Sequence, residues 1–404
     1  LILSANSVTE VAPDASSVTA TDGQNQTISK IDLGGTTVKL ESGSRVTATG
    51  GTVDIVAANN PSNPVLINPG DPAQIAARID VESSAIIDVS GDDTTQVSVA
   101  RNIIDVEARG NELADSPLQR DGAIRNATLQ VDVRQGTDFL DASGATGTVE
   151  RGVAERLSAG GSINIRSEGD VQVAQGAQLD ISGGQVNYTG DTVRTSKLVT
   201  VDGRTVDIAN ADPNQQYTGV LDPTLDPGQF EAGYVEGKDA GMLSISSRGL
   251  DFKGDLLADA TAGRFQRNQA GALNGQTAIT RPFDEKPVGG SLNVNLLATG
   301  VPTLTVGDSG GQPGIELDAD LLDRSGLSNV SLTNAGRIEV NEDVSLEAWG
   351  SLSLTGTQID VQSDIRIAGG DVSLEGDNDT VGINVVPNDG VSVNVDGTID
   401  VSGT

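Results

Sequence analysis

Cysteine and histidine are both missing from the 404 residues. The first absence excludes disulfides, thiol nucleophiles and Cys-based zinc sites, and it suits export as an unfolded chain that oxidation must not trap. The second excludes Ser-His-Asp and Cys-His machinery, His-ligated haem or zinc, and an imidazole pH switch. Aromatics are scarce, with one Trp, three Tyr and five Phe, although a chain of this length would ordinarily hold two or more aromatic-rich globular cores. Basic residues are outnumbered 25 to 57, giving a net charge of −32. With no basic block to form a phosphate-binding stripe, neither nucleic acid nor an anionic membrane is an expected partner. No run approaches the roughly 18 apolar residues of a membrane span, so no membrane insertion is expected. There is no signal peptide at Leu1 and the chain stops in mid-pattern at Val401-Ser402-Gly403-Thr404, so both ends read as cuts through a longer polypeptide.

What is present is glycine, at 50 residues, set among Ser, Thr, Asp, Asn and Val, a composition that suits thin β-layers and disfavours helices. The order of these residues repeats. Ile315-Glu316-Leu317, Ile338-Glu339-Val340, Ile359-Asp360-Val361, Ile383-Asn384-Val385 and Ile399-Asp400-Val401 form one series. Val330-Ser331-Leu332, Leu352-Ser353-Leu354, Val372-Ser373-Leu374 and Val391-Ser392-Val393 form a second beside it. Earlier, Gly160-Gly161-Ser162-Ile163-Asn164-Ile165 and Gly289-Gly290-Ser291-Leu292-Asn293-Val294 open alike, with Gly241-Met242-Leu243-Ser244-Ile245 a looser copy. The ending Ile87-Asp88-Val89-Ser90-Gly91 returns at Leu140-Asp141-Ala142-Ser143-Gly144 and at Ile399 to Gly403. Alternation this short buries one face only and is stable only when a like strand stacks on it at about 4.8 Å.

The expected fold is therefore all-β, a right-handed parallel β-helix (solenoid) with extrahelical loops and insertions, its turns stacking Ile338, Ile359, Ile383 and Ile399 in one column. About fifteen turns would give a rod of about 70 Å. In the recurrent ending the Asp faces solvent and Ser-Gly supplies a corner with room for a positive φ. A ladder of such aspartates offers a weak site for Ca2+, although the nine-residue glycine-aspartate repeat of calcium-loaded β-rolls is absent. Residues 1–184 read as helical turns with a Pro-rich protruding loop near 59–77, which holds Pro61, Pro64, Pro69 and Pro72. Residues 185–288 read as an irregular, aromatic-bearing region interleaved with turns, and 289–404 as regular turns again.

Within the irregular region, Leu179 to Gly190, Val193 to Leu198, Gly203 with Val206-Asp207-Ile208, Ala211-Asp212-Pro213 and Tyr217-Thr218-Gly219 resemble a signature of large filamentous-haemagglutinin-type exoproteins of Gram-negative bacteria. Ala262 to Arg267 and Pro287 to Leu292 resemble the same region. The resemblance implies two-partner secretion through an outer-membrane transporter and a place outside the cell or on its outer-membrane surface. It also implies adhesion, biofilm or host-contact roles, with a host receptor or a polysaccharide as partner. The secretion domain that the transporter recognises is not evident in this segment.

Tyr188, Tyr217, Phe230 and Tyr234 are the candidate ligand-contact residues, because exposed aromatics give large contact area at low entropic cost. The alternative is that they form a small satellite core fixing a side loop to the rod. Gly307-Asp308-Ser309-Gly310-Gly311 copies a protease nucleophile motif, but without histidine its serine has no base, and it reads as a turn. No catalytic, cofactor or metal site is assigned, and no enzyme activity is expected. The rival readings are a β-helical polysaccharide-degrading enzyme working with clustered carboxylates and a purely structural spacer.

Overall fold

The computed structural model describes all residues except 14–19, 22–26, 65–74, 148, 268–285, 297–301, 378–389 and 404. The protein is all-β and its main sheets are parallel. Alternating sequences supply the strands: Thr52–Ala57 and Ser162–Ser167 each bury every second residue. Val53, Ile55, Ile163 and Ile165 point inward with no exposed surface.

Three parallel sheets enclose one apolar core. The chain visits them in fixed order. Lys30–Gly35, Thr37–Leu40 and Arg45–Thr47 lie in the first, second and third sheets, and Thr52–Ala57, Arg78–Val81 and Ile86–Asp88 follow in the same order. Ser162–Ser167, Asp170–Val173 and Gln178–Asp180 repeat it, as do Met242–Ser247, Gly249–Phe252 and Asp255–Leu257. Registers match side chain to side chain: Val53 pairs with Ile163, Ile163 with Leu243 and Leu243 with Leu292. Toward the C-terminus the first sheet continues through Leu327–Val340, Ser351–Val361 and Asp371–Gly376. Its longest column holds eight strands, spanning roughly 35 Å at the usual strand spacing, about half the length expected from fifteen turns.

The columns differ from the sequence reading in one respect. Ile338 stacks on Ile359 as expected, but the next residue in that column is Val393, from the second series of triplets. Ile399 pairs instead with Ile365 in a separate sheet of Val344–Ser345, Ile365–Arg366 and Ile399–Asp400. Ile383 lies outside the described residues. An aliphatic-polar-aliphatic triplet fits the inner side of any face, so its spelling does not say which sheet receives it.

The recurrent corner also has a different basis from the one expected. Asp88 Oδ1 accepts the Ser90 amide and hydroxyl, Asp180 Oδ1 the Ser182 amide, and Asp400 Oδ1 the Ser402 amide and hydroxyl. The aspartates thus brace the turn as Asx motifs. The glycine after each serine is not in the left-handed region. Two of the three are required by close approach, since a Cβ at Gly91 would stand 2.0 Å from the Ser158 carbonyl oxygen and one at Gly183 2.1 Å from that of Lys238, whereas nothing lies within 4 Å of a Cβ at Gly403. Leu140 to Gly144 share the spelling but not the place, lying in a second core and a short helix, Ser143–Thr146.

Two long insertions leave the parallel sheets between a third-sheet strand and the next first-sheet strand, over about 92–158 and 184–240. The first was expected to be regular turns; it contributes no strand to the three sheets among the described residues. Its hairpin of Ile103–Glu107 and Thr128–Asp132 is antiparallel. The second insertion adds the antiparallel strands Lys197–Thr200, Thr205–Asp207 and Tyr217–Val220. Both share a core of Ile104, Val106, Leu129, Val131, Phe139, Leu198, Ile208 and Tyr217, so together they make one lobe. Of the Pro-rich 59–77 stretch, the described parts carry no strand and join Thr52–Ala57 to Arg78–Val81; Pro69 and Pro72 lie outside the described residues. Among the described residues no helix is long and apolar enough to cross a membrane.

Candidate functional site

An aromatic and ionic junction ties the two insertions to each other. Gln185–Thr189 pairs with Gln96–Ser98 on one side and Tyr234–Gly237 on the other, which puts Tyr188 opposite Tyr234. Their rings stack 4.4 Å apart, and Phe265 meets Tyr234 edge-on at 4.7 Å. Arg101 lies 5.6 Å from the Tyr188 centroid and forms a fork with Glu155 at 2.5 and 2.6 Å. Arg134 lies 5.7 Å from Tyr234 and makes paired bonds to Glu231, at 2.5 and 2.8 Å, and to Asp132, at 3.0 and 2.6 Å. Burial pushes the Tyr188 hydroxyl well above the usual phenol range and raises that of Tyr234.

This settles the position of each candidate aromatic. Tyr188 is buried and Tyr234 half-buried in the junction. Tyr217 is 1% exposed, packs edge-on against Phe139 at 5.4 Å, and accepts the Asp212 amide at 2.9 Å. Only Phe230 presents its ring to solvent, at 69% exposure. It sits on Gln229–Glu231, which pairs with Asp191–Val193. Its Cζ lies close enough to Gly190 that a Cβ there would stand 2.9 Å away.

Phe230 borders a cleft of about 740 Å3 between the two insertions, lined also by Arg194, Lys197, Asp207, Asp226, Glu231 and Arg264. Arg194 donates Nε to the Asp226 carbonyl oxygen at 2.9 Å and Nη2 to that of Pro227 at 3.4 Å. Lys197 Nζ pairs with Asp226 Oδ2 at 2.9 Å, and the Gly228 amide donates to Asp226 Oδ1 at 3.0 Å. Gly228 has φ +73°, which aims that amide into the turn at a backbone conformation few side chains tolerate. An exposed ring beside fixed cations, carboxylates and amides suits a polyhydroxyl ligand, which stacks on the ring and exchanges hydrogen bonds with the rim.

The Lys197 ammonium, then the Gly228 amide, hold the Asp226 carboxyl below the usual carboxylate range, against the smaller opposing effect of burial. A carboxylate whose folded pKa is depressed binds its proton first in the unfolded chain. Its contribution to stability is therefore complete above the ordinary value of about 4 and is lost as pH falls through the depressed folded value. Thermal melts of the chain and of Asp226→Asn between pH 6 and 2.5 are expected to converge at the acid end. A difference that stays constant with pH would refute the role of the Lys197–Asp226 pair.

Gly307 to Gly311 form a turn after Leu304–Val306, with Gly307, Gly310 and Gly311 all at positive φ. The Ser309 hydroxyl donates to Glu316. Among the described residues no group of three or more Asp or Glu is placed to hold a metal. The sequence reading passed over Trp349. This sole tryptophan is 56% exposed and has φ +67°; it stands just before Gly350-Ser351, and that glycine-serine spelling was the available signal. No protein-family model, curated protein or solved structure matches the chain.

Proposed function

We propose that the chain is a stretch of right-handed parallel β-helix from a large secreted protein of the filamentous-haemagglutinin type, displayed on a Gram-negative surface after two-partner secretion. In this reading the helix is a rigid stalk and the lobe is its attachment point. The observation that carries it is the fixed order of three parallel sheets, repeated turn after turn, with two insertions leaving the same corner and joining in one lobe. A body of stacked turns gains length without needing a thick core. The Arg134 junction, which ties the two insertions to each other, holds the strand of Phe230 and its cleft in a set orientation. The absence of cysteine and the excess of acid suit passage through a transporter as an unfolded chain and solubility afterwards.

The adhesin reading is tested by binding of the whole chain to host cells and to a panel of polysaccharides. Phe230→Ala is expected to weaken attachment about tenfold, the scale of losing one aromatic anchor. Because the ring is exposed, the melting temperature is expected to stay within about 2 °C of wild type. Attachment that ignores Phe230→Ala would move the contact away from this cleft, and no attachment at all would favour the spacer.

A further inference from the structure

One stretch on the outward side of the first sheet differs in chemistry from the ion-paired surfaces around it, among them Lys30 with Asp32 and Asp54 on the same sheet. Side chains outside the second and third sheets form ion-pair ladders, such as Lys39 with Glu82 at 2.7 Å, Arg45 with Asp88 at 2.5 Å and Lys253 with Asp251 at 2.9 Å. In four successive strands of the first sheet the outward positions in register with Met242, Ser244 and Ser246 carry none, and ion pairs return only farther along two of these strands, where Arg337 meets Glu339 at 2.9 Å and Asp360 at 2.6 Å. Register stacks Met242, Ser244 and Ser246 in three columns that end at Ser351, Ser353 and Thr355. Of the twelve outward positions, eleven are Ser, Thr or Asn and the twelfth is Met242. The face is bounded by charge, with Arg166 one turn before it and Asp371 and Glu375 one turn after. In a chain that is 20% charged and carries −32, a contiguous half-buried array with no charge needs a reason beyond solubility.

At one corner of this array stands Trp349. The turns before Thr52 and Asp371, which lie in the same column as Ser351, place Gly50 at φ +56° and Gly369 at φ +67° where this turn has the tryptophan at +67°. A left-handed backbone is strained for a bulky residue and free for glycine. The ring lies over Gly369, where a Cβ would stand 3.1 Å from its atoms, and still leaves more than half its surface in solvent. The fold thus holds an exposed indole at a position that the next turn gives to glycine, as does a turn five strands earlier in the column.

We propose that this face and Trp349 form a second binding surface, separate from the Phe230 cleft, that takes a neutral polysaccharide. Each Ser, Thr and Asn offers both donor and acceptor, as a sugar hydroxyl does. Their spacing, about 4.8 Å between strands and roughly 6.7 Å between alternate residues, presents a regular lattice to a regular polymer. The net charge repels an anionic chain, and a cationic one would prefer the carboxylate ladders of the other faces. An indole stacks on the apolar face of a pyranose without needing a charge.

The test uses the whole chain with cellulose, chitin and a soluble β-glucan as neutral probes and polygalacturonate as the anionic one. Trp349 emission reports directly, because no other tryptophan is present; a neutral probe is expected to shift it to the blue and polygalacturonate to leave it unchanged. Trp349→Gly is expected to fold at least as stably as wild type while losing about tenfold in affinity for the neutral probe. Ser331→Lys and, without added charge, Ser331→Val are expected to weaken binding severalfold, whereas Phe230→Ala leaves it intact. The proposal is overturned by no binding to any neutral probe, or by binding that survives Trp349→Gly and Ser331→Lys together. A concentration-dependent dimer abolished by Ser331→Lys would equally overturn it, by giving the face to a second copy of the chain.

Discussion

Gly161→Ala is expected to destabilise the parallel body by about 3 kcal/mol, the upper part of the usual range for overpacking. A Cβ at this position would stand 2.0 Å from the carbonyl oxygen of Gly51 in the neighbouring turn. That oxygen cannot move aside, because it accepts the Ser162 amide at 2.8 Å. Gly241 repeats the relation one turn on, its Cβ position lying 1.8 Å from the Gly161 oxygen. The glycines therefore form a column of their own at the entrance to the first sheet, and the added methyl can be accommodated only by opening the spacing between turns. Gly144→Ala is the matched control, since nothing lies within 4 Å of its Cβ position and it sits in a short helix. It is expected to be neutral or mildly stabilising. Urea unfolding of both variants checks the pair; a Gly161→Ala chain within about 0.5 kcal/mol of wild type would refute the close-approach account.

Arg134→Ala should act on the lobe and leave the parallel body alone. The guanidinium is held between Asp132, 3% exposed, and Glu231, 13% exposed. Burial alone would lower its pKa, but the bonds to Glu231 and Asp132 raise it above the ordinary value, so it is a permanent cation between two carboxylates. Removing it leaves both acids facing each other in a largely dry junction. Losing one partner of a buried pair costs about 3–5 kcal/mol, and the residual exposure of Arg134 places the expected loss near 3. Arg134→Lys rescues little, because an ammonium cannot fork to two carboxylates. The readout is hydrogen exchange: amides of Thr128–Asp132 and Gln229–Glu231 lose protection while those of Ser162–Ser167 keep theirs. Uniform loss across both regions would mean that the lobe and the parallel body are one cooperative unit.

Much of this architecture is legible in single letters. Alternation such as Ser162-Ile163-Asn164-Ile165 says which side chains face inward, because successive residues of a strand point to opposite sides. The paired glycines ahead of it are also visible, although their purpose, the approach of one turn's backbone to the next, is not. The lobe was misread where Ile103–Glu107 and Thr128–Asp132 alternate just as the strands of the parallel sheets do, yet pair antiparallel with each other. Three of the four candidate aromatics looked available because a tyrosine in an irregular stretch carries no sign of burial. Phe230 is open only because it sits on an outer two-stranded pairing.

The sequence by itself determined an all-β chain, the inward and outward sides of its strands, and the absence of thiol and imidazole chemistry. Tertiary structure alone decided which triplet stacks on which, sending Ile399 to Ile365 and Val393 to Ile359. It also joined two insertions, separated in the chain by one strand of each parallel sheet, into one lobe, and lined up eleven scattered Ser, Thr and Asn residues on one face. The reason is that alternation is a property of a single strand. Register and company are properties of pairs, set by hydrogen bonds and packing between segments that lie tens of residues apart.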